Sequence, residues 1–268
     1  MNTKRVILSA ALLFPLMLSS TVDAGLVAAY SFDDETATDI SGGGNDGVLG
    51  ATTAFSTDNP FGVGKSAVFD ATPNSVINVP NSPALEGVDN TMTVAFWMKG
   101  SNAQGDWGRQ VQKRSGGDGW DVNRHFGNNA VNLRVDTSAG DNQNVFAVGG
   151  GLIPNVYDNT WHHIAYTMDN GTLVAYLDGV QTGTEGYNHG SGFGNNGPMT
   201  IGGDDNAYGN IMMDDLGIWD EVLDADAIAA LANGPIINPI PEPSTLVLLV
   251  LGLLGCGLGR FSRRRGRA

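Results

Sequence analysis

Few residues of this 268-residue chain are placed for covalent chemistry. The only cysteine, Cys256, lies in an apolar run near the C-terminus, so no disulfide closes within the chain and no thiol has a base beside it. His162 and His163 are adjacent, without the H-E-x-x-H spacing that puts two imidazoles and a glutamate on one helix face of a zinc protease. No serine sits in a nucleophile-elbow context. What remains is oxygen and aromatic chemistry. Asp and Asn gather in glycine-rich clusters whose carboxylates, amides and carbonyls suit a hard divalent cation. Trp107, Tyr187 and Tyr208 stand in polar, glycine-rich loops, where an exposed ring can stack on an apolar ligand face.

The charge balance narrows the partners. Between Gly25 and Ile240, 7 Lys or Arg (14 less Lys4, Arg5 and five in the tail) face 26 Asp or Glu (28 less Asp23 and Glu242), a net charge near −19. Such a surface repels nucleic acid, whose binding needs clustered Lys and Arg on the phosphates. The same acidity keeps a protein soluble outside the cell.

The elements that would position these groups are mostly strands. Thr91 to Met98 alternates, with Met92, Val94, Phe96 and Met98 on one side and Thr91, Thr93, Ala95 and Trp97 on the other. His163 to Met168 and Thr172 to Leu177 flank Asn170-Gly171, a pair that tolerates the positive φ of a primed turn and so predicts a hairpin. Asp178-Gly179 gives another turn. Clusters at Ser41 to Gly47, Ser115 to Gly119, Gly149 to Gly151 and Ser191 to Gly197 read as loops. Trp97 and Trp161, in strands, read as core; Trp120 and Trp219 have no assigned place. One helix is expected, Asp224 to Asn233, with Asp224 as cap, Leu223 stapled to Ile228, and Gly234-Pro235 as the stop. The pattern predicts an all-β, antiparallel two-sheet sandwich with one short C-terminal helix.

Both ends carry processing signals. Residues 1–24 read as a signal peptide: Lys4 and Arg5, an apolar run from Val6 to Leu18, and Val22-Asp23-Ala24 before a cut between Ala24 and Gly25. Residues 25–233 form the domain, and 234–243 a proline-rich linker ending in Pro241-Glu242-Pro243. Residues 244–268 hold a short apolar helix and the basic end Arg260, Arg263, Arg264, Arg265 and Arg267. The apolar run spans ~22 Å at ~1.5 Å per residue, short of a ~30 Å hydrocarbon core. The arginines hold the extreme end in the cytoplasm and place the domain across the membrane.

The order of Pro241-Glu242-Pro243, short apolar run and terminal arginines resembles the PEP-CTERM sorting signal of exopolysaccharide-producing Gram-negative bacteria. That resemblance implies an exosortase-type membrane peptidase as partner and transient insertion in the inner membrane. The outer surface or the extracellular matrix would be the destination. Leu26 to Asp33, Asp39 to Gly47, Ala67 to Asp70 with Val76 to Pro80 as a hairpin, Trp161 to Ala165, Ala175 to Val180, and Asp214 to Trp219 resemble LamG-like, concanavalin A-type jelly rolls. In such domains the first and last strands are neighbours and oxygens from both hold a structural Ca²⁺; the corresponding residues are Asp33, Asn45 and Asp215. Carbohydrate binding is the role the resemblance implies, with Trp107, Tyr187 and Tyr208 as the aromatic candidates. Related laminarinase-type hydrolases carry Glu-x-Asp-x-x-Glu or a form one residue longer, and Glu35, Glu86, Glu185, Glu221 and Glu242 match neither. The leading expectation is a non-catalytic binding or matrix module for polysaccharide or a surface protein. A glycan-active hydrolase or lyase, and a structural matrix component without a small ligand, are the alternatives.

Overall fold

The computed structural model of the chain describes residues 25–102, 105–126, 129–136, 153–186, 192–204 and 207–236. The signal peptide up to Ala24, Tyr187, and the sorting segment with Pro241, Glu242, Pro243, Arg263, Arg264 and Arg265 lie outside these residues. No helix among the described residues is long and apolar enough to cross a membrane.

In chain order the elements are β1 (Leu26–Tyr30), β2 (Ala54–Ser56), β3 (Ser66–Asp70), β4 (Ile77–Val79), α1 (Pro83–Glu86), β5 (Thr91–Gly100), β6 (Arg109–Ser115), β7 (Asp118–Arg124) and β8 (Val131–Asp136). They continue with β9 (Trp161–Asp169), β10 (Thr172–Leu177), β11 (Val180–Gly186), β12 (Met199–Ile201), β13 (Asn210–Trp219) and α2 (Ala225–Leu231). Eight strands make one antiparallel sheet in the order β11-β10-β9-β5-β13-β3-β2, with β1 also paired to β13; five make the second, β4-β12-β6-β7-β8. The layers bury one core between them. Met92, Val94, Phe96 and Met98 of β5 and Ile164, Tyr166 and Met168 of β9 meet Val111, Trp120, Val122, Leu133 and Val135 of the opposite sheet in a single apolar cluster. Strict alternation along β5 thus places its large side chains inward.

Local chemistry explains the turns. Asn170 at φ 39° and Gly171 at φ 111° close the β9–β10 hairpin with Asp169 opposite Thr172. Asp178 (φ 51°) and Gly179 (φ 80°) close the next one with Leu177 opposite Val180. Asp224 caps α2 by accepting the Ala227 N–H at 2.8 Å, and Leu223 and Ile228 share one apolar cluster as a staple requires. A second helical turn, α1, escaped the sequence pattern. It is set by Ser82, whose hydroxyl accepts from Leu85 N–H, and by Pro83 at the first helical position.

Two sequence expectations need correcting. β3 and β4 are not a hairpin: β3 pairs with β13 and β2, whereas β4 pairs with β12 in the other sheet. The intervening segment turns with Ala71 at φ 60° and Ser75 Oγ accepting from Asp70 N–H, which carries the chain across the sandwich edge. Trp97 and Trp161 are only part buried, on the outer face of the larger sheet. Trp97 packs edge-on against Phe61 and His163, and Trp161 donates its indole N–H to Asp58 at 2.9 Å. The tryptophans that fill the interior are Trp120, between the sheets, and Trp219, beneath α2.

Candidate binding groove

The outer face of the five-stranded sheet is built from the polar half of the same alternation. Ile77, Val79, Met199, Ile201, Val111, Val122, Leu133 and Val135 point into the core. Their neighbours point out. Asn78 lies opposite Thr200, Thr200 opposite Gln112, Gln112 opposite Asp121, and Asp121 opposite Arg134, so one polar row crosses all five strands in register. Arg109, Asn123 and Asn132 form a second row, and Arg114 and Asp136 flank the first on its other side. A groove of about 650 Å³ lies over this face, lined by Asn78, Arg109, Gln112, Arg114, Arg134, Thr200, Asp204 and Tyr208.

Three of the seven basic residues between Gly25 and Ile240 line this groove. Arg114 Nη1 donates to Asp121 Oδ2 at 2.9 Å and its Nη2 to Asp136 Oδ2, which also accepts from Arg134 Nη2. Arg109 Nη1 pairs with Asp204 Oδ1 at 2.7 Å, and Asn123 Nδ2 donates to Asp121 Oδ1. The network stops short of completion. Gln112 Oε1, Asn123 Oδ1, Asn132 Oδ1 and Nδ2, Asp136 Oδ1 and Arg134 Nε are buried without a hydrogen-bond partner. Each such atom costs ~1–3 kcal/mol relative to a satisfied one, and orphans this dense are a reason to look for a ligand that completes them.

One wall of the groove is fixed from behind. Lys113 points inward from β6 and gives its ammonium to Asn81 Oδ1, the Asn195 carbonyl and the Gly197 carbonyl at 2.7–2.9 Å, tying the loop before β12 to the sheet. Burial pulls its pKa down to about 8.

The residues singled out from sequence are dispersed. Tyr208 lines the groove. Trp107, at φ 64°, is part buried and stacks on Phe126, with ring centroids 6.0 Å apart, and His125 stands beside it. Phe126 is 61% exposed, so the pair forms an aromatic edge at the start of β6. Asn45 is occupied: Nδ2 donates to the Val27 carbonyl at 2.7 Å and Oδ1 accepts from Ser82 at 2.6 Å. Its carbonyl also accepts from Tyr30, so this residue holds its own loop. Gly25 bonds through its carbonyl to Asp220 N–H, next to the start of β1.

Asp33 and Asp215 do come together, and with them Asp214. β1 pairs with residues 216–219 of β13 and β3 with 210–213 of the same edge. The register shifts between Asp214 and Gly217, in the gap where β1 ends, and Asp215 takes φ 47° there. Burial, then the neighbouring acids, raises Asp214 to about 8 and Asp215 to about 7. Asp33 Oδ1 meanwhile accepts from Lys65 N–H at 3.0 Å. Oxygen donors are present, but among the described residues no three of His, Cys, Asp and Glu converge as a ready metal cage.

The sequence did not point to the groove because no single residue in it is distinctive. The available signal was period two within Arg109–Ser115, Asp118–Arg124 and Val131–Asp136, where polar and apolar residues alternate although the segments look hydrophilic as a whole.

The architecture is that of a jelly-roll-type β-sandwich presenting a polar groove on one sheet. The chain belongs to the concanavalin A-like lectin/glucanases superfamily, whose sequence profile matches residues 70–229. The PEP-CTERM protein-sorting motif matches residues 239–265 and marks a secreted chain that transits the membrane. Among solved structures, domain 4 of the GH43 extracellular arabinanase AbnA from Geobacillus stearothermophilus, in complex with arabinotriose, is 22% identical with a TM-score of 0.60, over 78% of this chain and 98% of that one. The botulinum neurotoxin serotype G binding domain is 17% identical with a TM-score of 0.58, over 77% of this chain and 50% of that one. The non-toxic nonhemagglutinin type D of a Clostridium botulinum D phage is 23% identical over 109 residues, which span only 8% of its length.

Proposed function

We propose that this protein is an exported, non-catalytic module that binds polysaccharide along the outer face of its five-stranded sheet. The observation that carries the reading is the polar groove on that face, in whose lining Gln112 Oε1, Arg109 Nε and Arg134 Nε are buried without a hydrogen-bond partner. Sugar hydroxyls both donate and accept, so a glycan chain can complete such a set, and Tyr208 at the rim offers a ring for stacking. The solved arabinanase domain with arabinotriose supports the reading at the level of the fold. Cleavage would need two carboxyl groups flanking a glycosidic bond, one of them free to give a proton. On this face Asp121 and Asp136 both accept from Arg114 instead. Processing by an exosortase-type peptidase, and delivery to the outer surface or its polysaccharide matrix, complete the proposal and rest on the sorting motif.

A structural Ca²⁺ belongs to the same proposal, held by Asp33 and Asp215 with Asp214 behind them, because the Asp33 charge acts on both buried acids. Asn45 is left out of that set by its own bonds.

The test is calorimetric titration of the purified protein with a panel of polysaccharides, beside Gln112→Leu. Gln112 Oε1 has no partner to lose, so the variant should keep its thermal midpoint within ~2 °C and bind at least ~10-fold more weakly. Unchanged affinity in a folded Gln112→Leu protein would move the site off this sheet.

A further inference from the structure

We infer that the residues after α2 form a strap that fixes which face the domain turns to the membrane. While the tail is held in the bilayer, α2 and the eight-stranded sheet face the lipid, and the five-stranded sheet with its groove faces away. The orientation rests on the strap and on the sorting motif; only its meaning for the groove rests on the proposed function.

The strap is built from described residues. Asn233 Nδ2 donates to the Ala229 carbonyl at 2.7 Å and closes α2, and Pro235 follows. The chain then comes back over β13. Ile236 packs against the apolar cluster of Ala95, Ala165, Tyr176 and Trp219 on the outer face of the eight-stranded sheet. Gly217 makes the room, because a Cβ there would stand 2.5 Å from Ile236 Cδ1 and would also strike the Trp219 ring. The Ile236 N–H donates to the Asp215 carboxylate. An apolar contact and a hydrogen bond to an acid therefore hold the chain down at a point closer to the sorting motif than α2 is.

Length then decides the orientation. Thr245, where the apolar run begins, is nine residues beyond Ile236, a reach of no more than ~32 Å even fully extended. A domain of ~210 residues has a radius of gyration of ~17 Å and so a radius near ~22 Å, which makes the way round from one face to the opposite one ~65 Å. The tether covers half of that. Since Ile236 sits on the outer face of the eight-stranded sheet, the chain cannot pass round to the five-stranded sheet and still enter the bilayer. The groove, on that opposite sheet, is left open to polymers outside while the chain is still attached.

The experiment measures energy transfer from the full chain, inserted by its tail in phosphatidylcholine vesicles that carry a trace of acceptor-labelled lipid. Cys256→Ser removes the native thiol, and a donor dye is placed on Ala230→Cys, exposed on α2, or on Asn78→Cys, exposed on β4. The α2 label should lie ~20 Å nearer the lipid, about one sheet spacing plus one helix diameter. Inserting twenty Gly and Ser residues between Ile237 and Asn238 adds ~66 Å of reach and should erase the difference. Ile236→Ser, checked for an unchanged thermal midpoint, should shrink it by freeing the chain back to the end of α2. Equal transfer from the two labels, or stronger transfer from Asn78→Cys, overturns the orientation. A difference that survives the insertion, or that Ile236→Ser leaves unchanged, overturns the part given to the strap. No ligand is present in any arm, so these outcomes leave polysaccharide binding standing, and failure of the groove to bind glycan leaves the orientation standing.

Discussion

The outer faces of the two sheets began from the same alternating pattern and met different fates. On the eight-stranded sheet, Ala95, Ala165, Tyr176 and Trp219 point outward and are sealed by Leu223, Ile228 and Leu231 of the closing turn and α2. Farther along that face, Phe61 and Asp58 of the loop after β2 cover Trp97 and Trp161. On the five-stranded sheet the corresponding positions are Asn78, Gln112, Asp121, Asn123, Asn132 and Arg134, and polar groups there are buried faster than they are satisfied. An apolar face is finished once something covers it; a polar face is finished only when every donor and acceptor has a partner. One face is therefore covered by the chain's own apolar groups, and the other is the one proposed to bind a ligand.

Carboxylates divide along the same line. Asp121 and Asp136 are matched by arginines in the groove. Among the described residues Asp214, opposite Trp97 on the other sheet, and Asp215 beside it have no such match; burial pushes both upward, with the Asp215 and Asp33 charges adding to Asp214 and the Asp33 charge to Asp215. Charge is balanced where a ligand is expected and unbalanced where a cation is proposed.

Three perturbations would break or sharpen this contrast. The largest effect is expected from Trp219→Ala. The side chain is 1% exposed beneath α2, so its loss should cost ~3–5 kcal/mol in chemical denaturation while the folded fraction keeps its glycan affinity. Lost affinity in protein still folded would show that the two faces are energetically linked.

A middle-sized effect concerns pH in chelator. Asp214 and Asp215 hold protons in the folded state that the unfolded chain, at its ordinary value of 3.8, has already released. Their raised values mean that stability is full below about pH 4 and is lost as pH rises through about 7 to 8. Between pH 6.5 and 8.5 the thermal midpoint should fall by roughly 5 °C, and Asp214→Asn should flatten that fall. Added Ca²⁺ at pH 8 should restore the midpoint and fail to do so in Asp215→Asn. A midpoint independent of pH and of Ca²⁺ would mean that the acids are compensated in solution and would remove the ion.

The smallest effect is expected from Asp224→Ala. It deletes the bond to the Ala227 N–H and should cost about 1 kcal/mol, read as a lower denaturation midpoint with groove binding unchanged. A drop several times larger would make α2 the keystone of the outer cover and not only its last piece.

Much of the fold was legible because its signals are local. The β9–β10 turn at Asn170-Gly171, the Asp224 cap and the inward face of β5 each follow from a few consecutive residues. The pairing of β3 was not legible, because Ala67 to Asp70 reads the same whether its neighbour is β4 or the distant β13. For the proposed cation site, Asp33 and Asp215 could be named from the sequence, whereas the place of Asp214 beside a shifted register and the bonds of Asn45 to Val27 and Ser82 are set by the fold. The groove was the least legible part. Gln112, Asp121 and Arg134 are ordinary residues on three strands, and only the antiparallel register sets them in one row.

The sequence by itself determined the class of the protein: an acidic, disulfide-free chain with strands punctuated by Gly, Asn and Asp, one capped helix and a terminal sorting motif. Those features are set by backbone propensity, side-chain period and composition, which act over a few residues. The tertiary structure decided which outward face is covered and which keeps its polar atoms unmet, because burial and hydrogen-bond completion depend on neighbours far apart in the chain. Arg114 and Asp136 are strands apart, and only the fold makes them a pair.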